Sequence, residues 1–261
     1  MSPRPFKVIC EIEPPTRPDL KHVRHQIGVL SAATDTFLIP DNHLGRATVS
    51  SIAVAHEVEA MGGSSIACIN SRDRNLLGFR RDLLTAAAYG VRQFLFVYGD
   101  KPSSGGRTSE LTVRSMIEEA RSCAEDPVFA GMPSWTIGVA TGLQPLPRWK
   151  QAADFVFVQV SYSVEALLRW RDGNPVDVPV YAGVMVLASP AMGRRLAASI
   201  PDIEIPEWLS DRVSADKMAG VEAACEQIMQ IRDSGAFDGV HLVPVHRYRE
   251  VAARLEELHP T

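Results

Sequence analysis

Short apolar runs recur along the chain of 261 residues, and polar segments with helical spacing separate most of them. The runs are continuously apolar rather than alternating, which is typical of parallel strands that are covered on both faces. The pattern predicts eight strands, over Phe6–Ile12, Thr36–Pro40, Ser65–Ile69, Gln93–Tyr98, Trp135–Ala140, Phe155–Val160, Val180–Val184 and Gly239–Val243.

Helical periodicity fills most of the gaps between these strands. The spacing predicts helices over Thr48–Met61, Arg74–Tyr89, Ser109–Ala124, Val164–Arg171 and Ala215–Ser234. Gly90 is a typical C-terminal stop for the second of them. The segment Asp202–Arg212, which contains Pro206-Glu207-Trp208-Leu209, is interpreted as an excursion before the last helix.

Strands that alternate with helices eight times predict an α/β fold, a single (β/α)8 TIM barrel. An open doubly wound sheet is the alternative, but the first strand-to-helix turn has no G-x-G-x-x-G fingerprint. No linker rich in proline or glycine divides the chain, so we expect one domain over residues 1–261.

Composition narrows the class of partner. A formal net charge of -4, without a cluster of Lys and Arg, argues against a nucleic-acid partner. The four cysteines form no CxxC pair, which predicts reduced thiols and no zinc site. We expect a cytoplasmic protein that does not insert into a membrane, because no N-terminal signal core and no apolar run near ~20 residues is found.

The end of the first strand carries two carboxylates, Glu11 and Glu13, followed by Pro14-Pro15. The prolines stop the strand and hold the preceding residues extended. In a barrel, catalytic groups lie at the carboxyl ends of the strands. Glu11 and Glu13 are therefore candidates for acid–base chemistry, with solvated side chains at a rim as the alternative.

Polar residues also follow the other predicted strands. Asp41 and Asp73 could cap helices, and a histidine such as His241 is more often part of the core than of a site. An amide inside a buried strand, as at Gln159, requires a partner. No catalytic triad, metal-ligand spacing or glycine-rich phosphate loop is present. Carboxylates and amides suit a flat heterocycle with paired donors and acceptors, such as a pterin or a flavin.

Several separated segments together resemble the methylenetetrahydrofolate reductase family. The strand end Cys10–Pro15 is similar to the family's F-E-F-F-P-P, and Gly99–Pro102 matches its G-D-x-P. The remaining similar segments are Cys68–Leu77, Asp154–Gln159, Pro179–Met185, Ile205–Leu209 and Phe237–Leu242.

The resemblance implies a TIM barrel that reduces 5,10-methylenetetrahydrofolate to 5-methyltetrahydrofolate. Glu11 matches the family's acid, Asp100 its pterin-side aspartate and Gln159 its folate-binding glutamine. A carboxylic acid near N10 would promote opening of the imidazolidine ring to an iminium before hydride adds. Glu13 stands where the family has an aromatic residue, and its role is left open.

Three departures from the family's flavoproteins argue against bound FAD. The connection from the fifth to the sixth strand is short, Ser65 stands at the position of a histidine, and Asp41–Arg46 replaces a threonine-bearing loop. The chain resembles a shorter branch of the family, thought to reduce the folate directly with NADH. NADH or NADPH is then the expected cofactor, with His43, Arg72, Arg74 and Lys101 as candidates for binding its phosphates. An FAD-dependent reductase with a remodelled site and a non-catalytic folate-binding subunit are the alternatives.

Overall fold

The computed structural model describes residues 4–101, 105–132, 134–200 and 203–258. Its parallel strands form a closed barrel in which each strand pairs with the next and the last pairs with the first. The strands are β1 (Lys7–Glu11), β2 (Thr36–Ile39), β3 (Ser64–Asn70), β4 (Gln93–Val97), β5 (Thr136–Thr141), β6 (Phe155–Val160), β7 (Val180–Met185) and β8 (Gly239–Val243).

Helices surround the barrel between these strands. They are α1 (Lys21–Leu30), α2 (Ser51–Ala60), α3 (Leu76–Ala88), α4 (Val113–Ala124), α5 (Val164–Gly173), α6 (Pro190–Ser199), α7 (Glu207–Ala215), α8 (Ala219–Ser234) and α9 (Tyr248–Leu258). Within the described ranges, no helix combines the length and the apolar character needed to cross a membrane.

The predicted TIM barrel is confirmed, with each predicted strand present to within a few residues. The predicted start of α5 at Val164 is confirmed, whereas the helices predicted from Thr48, Arg74 and Ser109 begin too early, because their capping residues stand later in the sequence. Ser50, Asn75 and Thr112 each accept a hydrogen bond from a main-chain N–H of the first turn, in α2, α3 and α4. A cap of this kind supplies a partner for an N–H group that the helix cannot satisfy.

Four helices were not predicted from the sequence: α1, α6, α7 and α9. The 202–212 segment, interpreted as an excursion before the last predicted helix, contains the start of an additional helix in its described part: Glu207–Ala215 forms α7, with Pro206 at its N-cap. Leu209 and Val213 of α7 are buried four residues apart, so a single helical turn of contact fixes it. Asp202 lies outside the described residues, as does Pro102 of the Gly99–Pro102 motif.

Two layers of apolar side chains hold the barrel together. The larger layer lies between strands and helices and includes Cys10, Phe37 and Phe96. The smaller layer fills the interior of the barrel with Ile9, Leu38, Ile66, Cys68, Leu95, Phe155 and Phe157. Because the interior is packed by side chains, a ligand can reach only the two ends of the barrel, and active sites of this fold lie at the carboxyl ends of the strands.

Candidate active site

Glu11 is the last residue of β1 and faces the interior of the barrel. Its neighbours Cys10 and Ile12 belong to the outer apolar layer, so strand alternation turns Glu11 inward. The Ile12 N–H donates to the Leu38 carbonyl oxygen at 2.9 Å, which continues the pairing with β2 past Glu11. The Glu11 side chain is only 13% exposed. The structure thus places a largely desolvated carboxyl group at the carboxyl end of the barrel.

Glu13 lies two residues beyond the end of β1 and is exposed. It has no hydrogen bond or ion pair with another residue of the described chain. Pro14, by contrast, is buried, so the double proline anchors the chain just after the exposed carboxylate. The two glutamates therefore have different environments, and only Glu11 belongs to the barrel interior.

The acid candidate has a neighbour that the sequence did not single out as functional. His241 of β8 places its Nε2 atom 3.2 Å from Glu11 Oε2. Its ring lies nearly parallel to that of Phe157, at 5.2 Å between centroids and 20° between planes. The sequence favoured a core histidine at position 241, and the side chain is indeed largely buried. It nevertheless contacts Glu11, the predicted catalytic acid.

Asp100 follows β4, and the glycine before it explains how the chain turns there. Gly99 has a φ of 93°, and a Cβ atom at this position would lie 2.8 Å from the Asn70 Cβ. Both the backbone conformation and the close approach to β3 therefore require glycine. The exposed Asp100 carboxylate accepts a hydrogen bond from the Leu44 N–H at 2.8 Å. Asp100 thus links the end of β4 to the turn that follows β2.

Gln159 stands at an irregularity in β6. The register with β7 passes from Val158–Ala182 to Val160–Gly183, so Gln159 is the extra residue of a β-bulge. Its side chain is exposed although its strand neighbours are buried, and its Oε1 accepts from the Val160 N–H at 3.0 Å. The partner that the sequence argument required is therefore the strand's own backbone. The bulge presents the remaining amide donor to the solvent at the mouth of the barrel.

Arg74 lies in a buried polar network rather than on an open surface. Its Nη1 atom lies 2.5 Å from Asp41 Oδ2, and its Nε atom lies 2.6 Å from Asp82 Oδ2. Asn70 also donates to Asp41, from its main-chain N–H and its side-chain Nδ2. This network ties the loops after β2 and β3 together. Phosphate binding by Arg74 stays a prediction, but its guanidinium is already occupied by two carboxylates.

The other three predicted cationic side chains follow neighbouring strands. Arg72, after β3, packs its guanidinium over the Tyr98 ring at 5.0 Å and donates from Nη1 to the Gly99 carbonyl oxygen at 3.2 Å. Its Nε is buried and has no hydrogen-bond partner among the described residues. His43, in the turn after β2, is half-buried, and Lys101, after β4, is exposed. The three side chains thus follow β2, β3 and β4, and Asp100 lies after β4 at the same end of the barrel.

A cavity of about 450 Å³ opens beside the ends of β4 and β5. Tyr98, the N-terminus of α4 and Lys150 line it. Lys150 Nζ donates to the Ala140 carbonyl oxygen at 2.6 Å, and burial lowers the pKa of its ammonium group. Lys150 was not among the predicted site residues, although a lysine next to the apolar Trp149 is a signal for partial burial.

The mouth combines an inward carboxyl group, an exposed carboxylate, an exposed amide and cationic side chains. Together with the closed barrel, this defines the class: a (β/α)8-barrel protein whose strand ends carry carboxyl, amide and cationic groups. The family model described as methylenetetrahydrofolate reductase matches residues 32–259. The chain belongs to the methylenetetrahydrofolate reductase family. No curated protein sequence matches the chain.

Solved structures share the fold at low sequence identity. An uncharacterized protein from Clostridium thermocellum, which binds two copies of 5-methyl-5,6,7,8-tetrahydrofolic acid, is 14% identical with a TM-score of 0.65, covering 98% of this chain and 97% of that one. A chain of the tryptophan synthase complex from Pyrococcus furiosus is 12% identical with a TM-score of 0.57, covering 98% of both chains. DmoA from Hyphomicrobium sulfonivorans is 10% identical with a TM-score of 0.53, covering 98% and 88%. These matches concern the barrel fold.

Proposed function

We propose that this protein reduces 5,10-methylenetetrahydrofolate to 5-methyltetrahydrofolate, with NADH or NADPH as the direct source of hydride and without a flavin. The observation that carries the proposal is the position of Glu11, a largely desolvated carboxyl group at the carboxyl end of β1 in a chain of this family. The methyltetrahydrofolate bound by the Clostridium thermocellum protein supports a folate as the ligand of this barrel.

Glu11 acts as the general acid. Its proton passes to N10 of the imidazolidine ring while the bond between N10 and the one-carbon unit breaks, which leaves an iminium at N5. The Glu11 side chain is largely buried and lies at the carboxyl end of β1, where a general acid can be held in a fixed position against the substrate. Hydride addition to the iminium carbon then forms the methyl group. Glu11 recovers its proton from solvent before the next turnover.

Asp100 and Gln159 hold the pterin. A carboxylate accepts paired N–H donors of a heterocycle edge, and the exposed amide of Gln159 supplies the complementary hydrogen bonds. Both residues lie at strand ends, so they position the substrate against a rigid barrel rather than against a mobile loop. Their role is to fix the iminium carbon where the hydride donor can reach it.

The described residues fit a dinucleotide at the ends of β2, β3 and β4. The unpartnered, buried Nε of Arg72 is an N–H donor still available to an anionic group. His43 and Lys101 follow the adjacent strands and would complete the phosphate site. A reduced nicotinamide supplies hydride when it is bound. We propose a reaction without flavin because the connection from β5 to β6 is short. Its regular structure is a single 3-10 helix of five residues, Arg148–Ala152.

Two measurements on the purified protein test the proposal. The visible spectrum should lack flavin absorbance, and NADH or NADPH should be oxidised only when 5,10-methylenetetrahydrofolate is present. Glu11→Gln should lower kcat by about 100-fold or more, as expected for the loss of a general acid. Glu13→Gln is the matched control, because this exposed carboxylate lies nearby in sequence but outside the barrel interior.

A yellow protein with flavin absorbance would show that the reaction depends on flavin, and direct hydride transfer from the nicotinamide would be excluded. Tight folate binding without oxidation of NADH or NADPH would instead make the protein a binding subunit. If Glu11→Gln keeps full activity, the proton must come from another group, and the mechanism is wrong.

A further inference from the structure

The contact between Glu11 and His241 follows from the closure of the barrel. β1 and β8 are neighbours, with Ile9 paired to His241. The side chains of Glu11 and His241 both turn inward from their strands. The His241 side chain is 12% exposed, close to the value of Glu11. A carboxyl group and an imidazole thus face each other in an interior otherwise filled by apolar side chains.

The imidazole ring is fixed by packing. Phe157 covers one face of the His241 ring, and Tyr181 packs its edge against Phe157 at 5.2 Å between centroids. His241 therefore cannot turn freely to find another partner. Its Nε2 atom is nevertheless buried without a well-aligned hydrogen bond, although it lies only 3.2 Å from the Glu11 carboxyl.

A buried polar atom that lacks an aligned partner is costly, and such atoms call for an explanation. Catalytic hydrogen bonds are often long or poorly aligned in a ligand-free site, and they tighten when the reaction charge develops. The Nε2 atom of His241 fits this description, because the nearest acceptor is the group proposed to lose a proton.

We propose that His241 is a positioning residue for Glu11. The neutral imidazole, protonated on Nε2, donates to Glu11 Oε2 and leaves the acidic O–H on Oε1 free for the substrate. When that O–H bond breaks and the proton joins N10, the carboxyl becomes a carboxylate, and the same N–H donor becomes charge-assisted. The hydrogen bond is stronger after proton transfer than before, so it lowers the barrier rather than only improving binding.

This role rests on the proposed function, but the tautomer can be tested without turnover. NMR of ring-labelled His241 should show the proton on Nε2, and Glu11→Gln should shift the Nε2 resonance. A proton on Nδ1 in the wild-type protein would overturn the proposal. If the tautomer is as expected but the wild-type protein shows no reductase activity, the proposed function fails and the pairing of the two side chains stands.

Two substitutions separate positioning from packing. His241→Gln retains an N–H donor near the place of Nε2, whereas His241→Asn places its amide near Nδ1 and leaves Glu11 without a donor. Asn should lower kcat about 10-fold to 100-fold, the worth of one hydrogen bond to a charged group, with little change in KM for the folate. Gln should restore most of the loss. Equal activities of the two variants would contradict the proposal.

Combination with Glu11→Gln provides the second check. If His241 acts through Glu11, His241→Asn should cause little further loss of kcat in that background, because residues that act as a unit are not additive. An undiminished loss in the double variant would assign His241 a purely structural role.

Discussion

The carboxylate of Asp100 accepts a hydrogen bond from the main-chain N–H of Leu44, 2.8 Å away. Leu44 has a φ of 56° and Asn42 a φ of 49°, in the left-handed region where a non-glycine residue costs roughly 1–2 kcal/mol. The Leu44 side chain is 62% exposed, so burial does not offset this cost. Asp100 therefore holds a strained turn. A pterin that engages both oxygens of this carboxylate competes with the Leu44 N–H for Oδ2.

Folate binding should accordingly release the Leu44 amide. We expect hydrogen–deuterium exchange of residues 42–46 to accelerate in saturating 5-methyltetrahydrofolate, because the carboxylate that protects Leu44 is taken by the ligand. Val128 is the internal control, since its N–H is held by the Asp126 carboxylate at 2.9 Å, in the connection that leads into β5. Unchanged or slower exchange at Leu44 in the liganded protein would exclude displacement.

The bulge at Gln159 depends on the glycine opposite it. A Cβ atom on Gly183 would lie 2.6 Å from both the Val158 oxygen and the Val160 nitrogen. These are backbone atoms in the strand that carries the bulge, so neither can move without changing the pairing of β6 with β7. We expect Gly183→Ala to lower the free energy of unfolding by about 1–3 kcal/mol through overpacking. The affinity for the folate should fall as well, because Gln159 moves with the bulge.

Chemical denaturation and folate titration measure the two effects of Gly183→Ala. Gly142→Ala is the matched control, because a Cβ atom at Gly142, just after β5, meets no atom within 4 Å. The control should change neither stability nor affinity appreciably. Full folate affinity in Gly183→Ala would show that the bulge does not position Gln159.

The barrel could be predicted from the sequence because continuous apolar runs and turn residues are local signals. The bounds of β6 are as predicted, Phe155–Val160, since its apolar residues lie within six positions. α1 was missed although Val23, Ile27 and Leu30 recur with helical spacing, because polar residues occupy most of its other positions. Its helical state depends on contact with α9, which the local pattern does not contain.

Only those candidate site residues that follow a recognisable strand end could be predicted from the sequence. Glu11 could be found because Pro14-Pro15 marks the carboxyl end of the first strand. The pairing of Glu11 with His241 joins the first and last strands, and no local pattern records that distance. The commitment of Arg74 to Asp41 is likewise a contact between separate loops. An arginine at a strand end suggested a phosphate-binding side chain, whereas the contacts of Arg74 show a buried ion pair with Asp41.

Replacement of Arg74 should affect stability before it affects the cofactor. Arg74→Met leaves Asp41 buried without a cation and Asp82 paired with Arg81 alone. Loss of one partner of a buried ion pair costs about 3–5 kcal/mol in comparable cases. We expect a corresponding loss in the free energy of unfolding from urea titration. Arg114→Met is the control, because its ion pair with Glu118 is 67% and 63% exposed and should be worth at most about 1 kcal/mol. Equal effects of the two variants would remove the buried network from the account of stability.

Arg72 should behave in the opposite way, as a ligand-binding cation. Its guanidinium packs on the exposed Tyr98 ring and makes no ion pair with a described carboxylate, so Arg72→Gln leaves no buried charge behind. We expect KM for NADH or NADPH to rise about 10-fold, the worth of one charge-assisted contact, while the free energy of unfolding changes little. Arg17→Gln removes the same charge from an exposed position in the segment that follows β1 and should leave KM unchanged. A rise in KM for the folate alone would move Arg72 from the dinucleotide to the substrate.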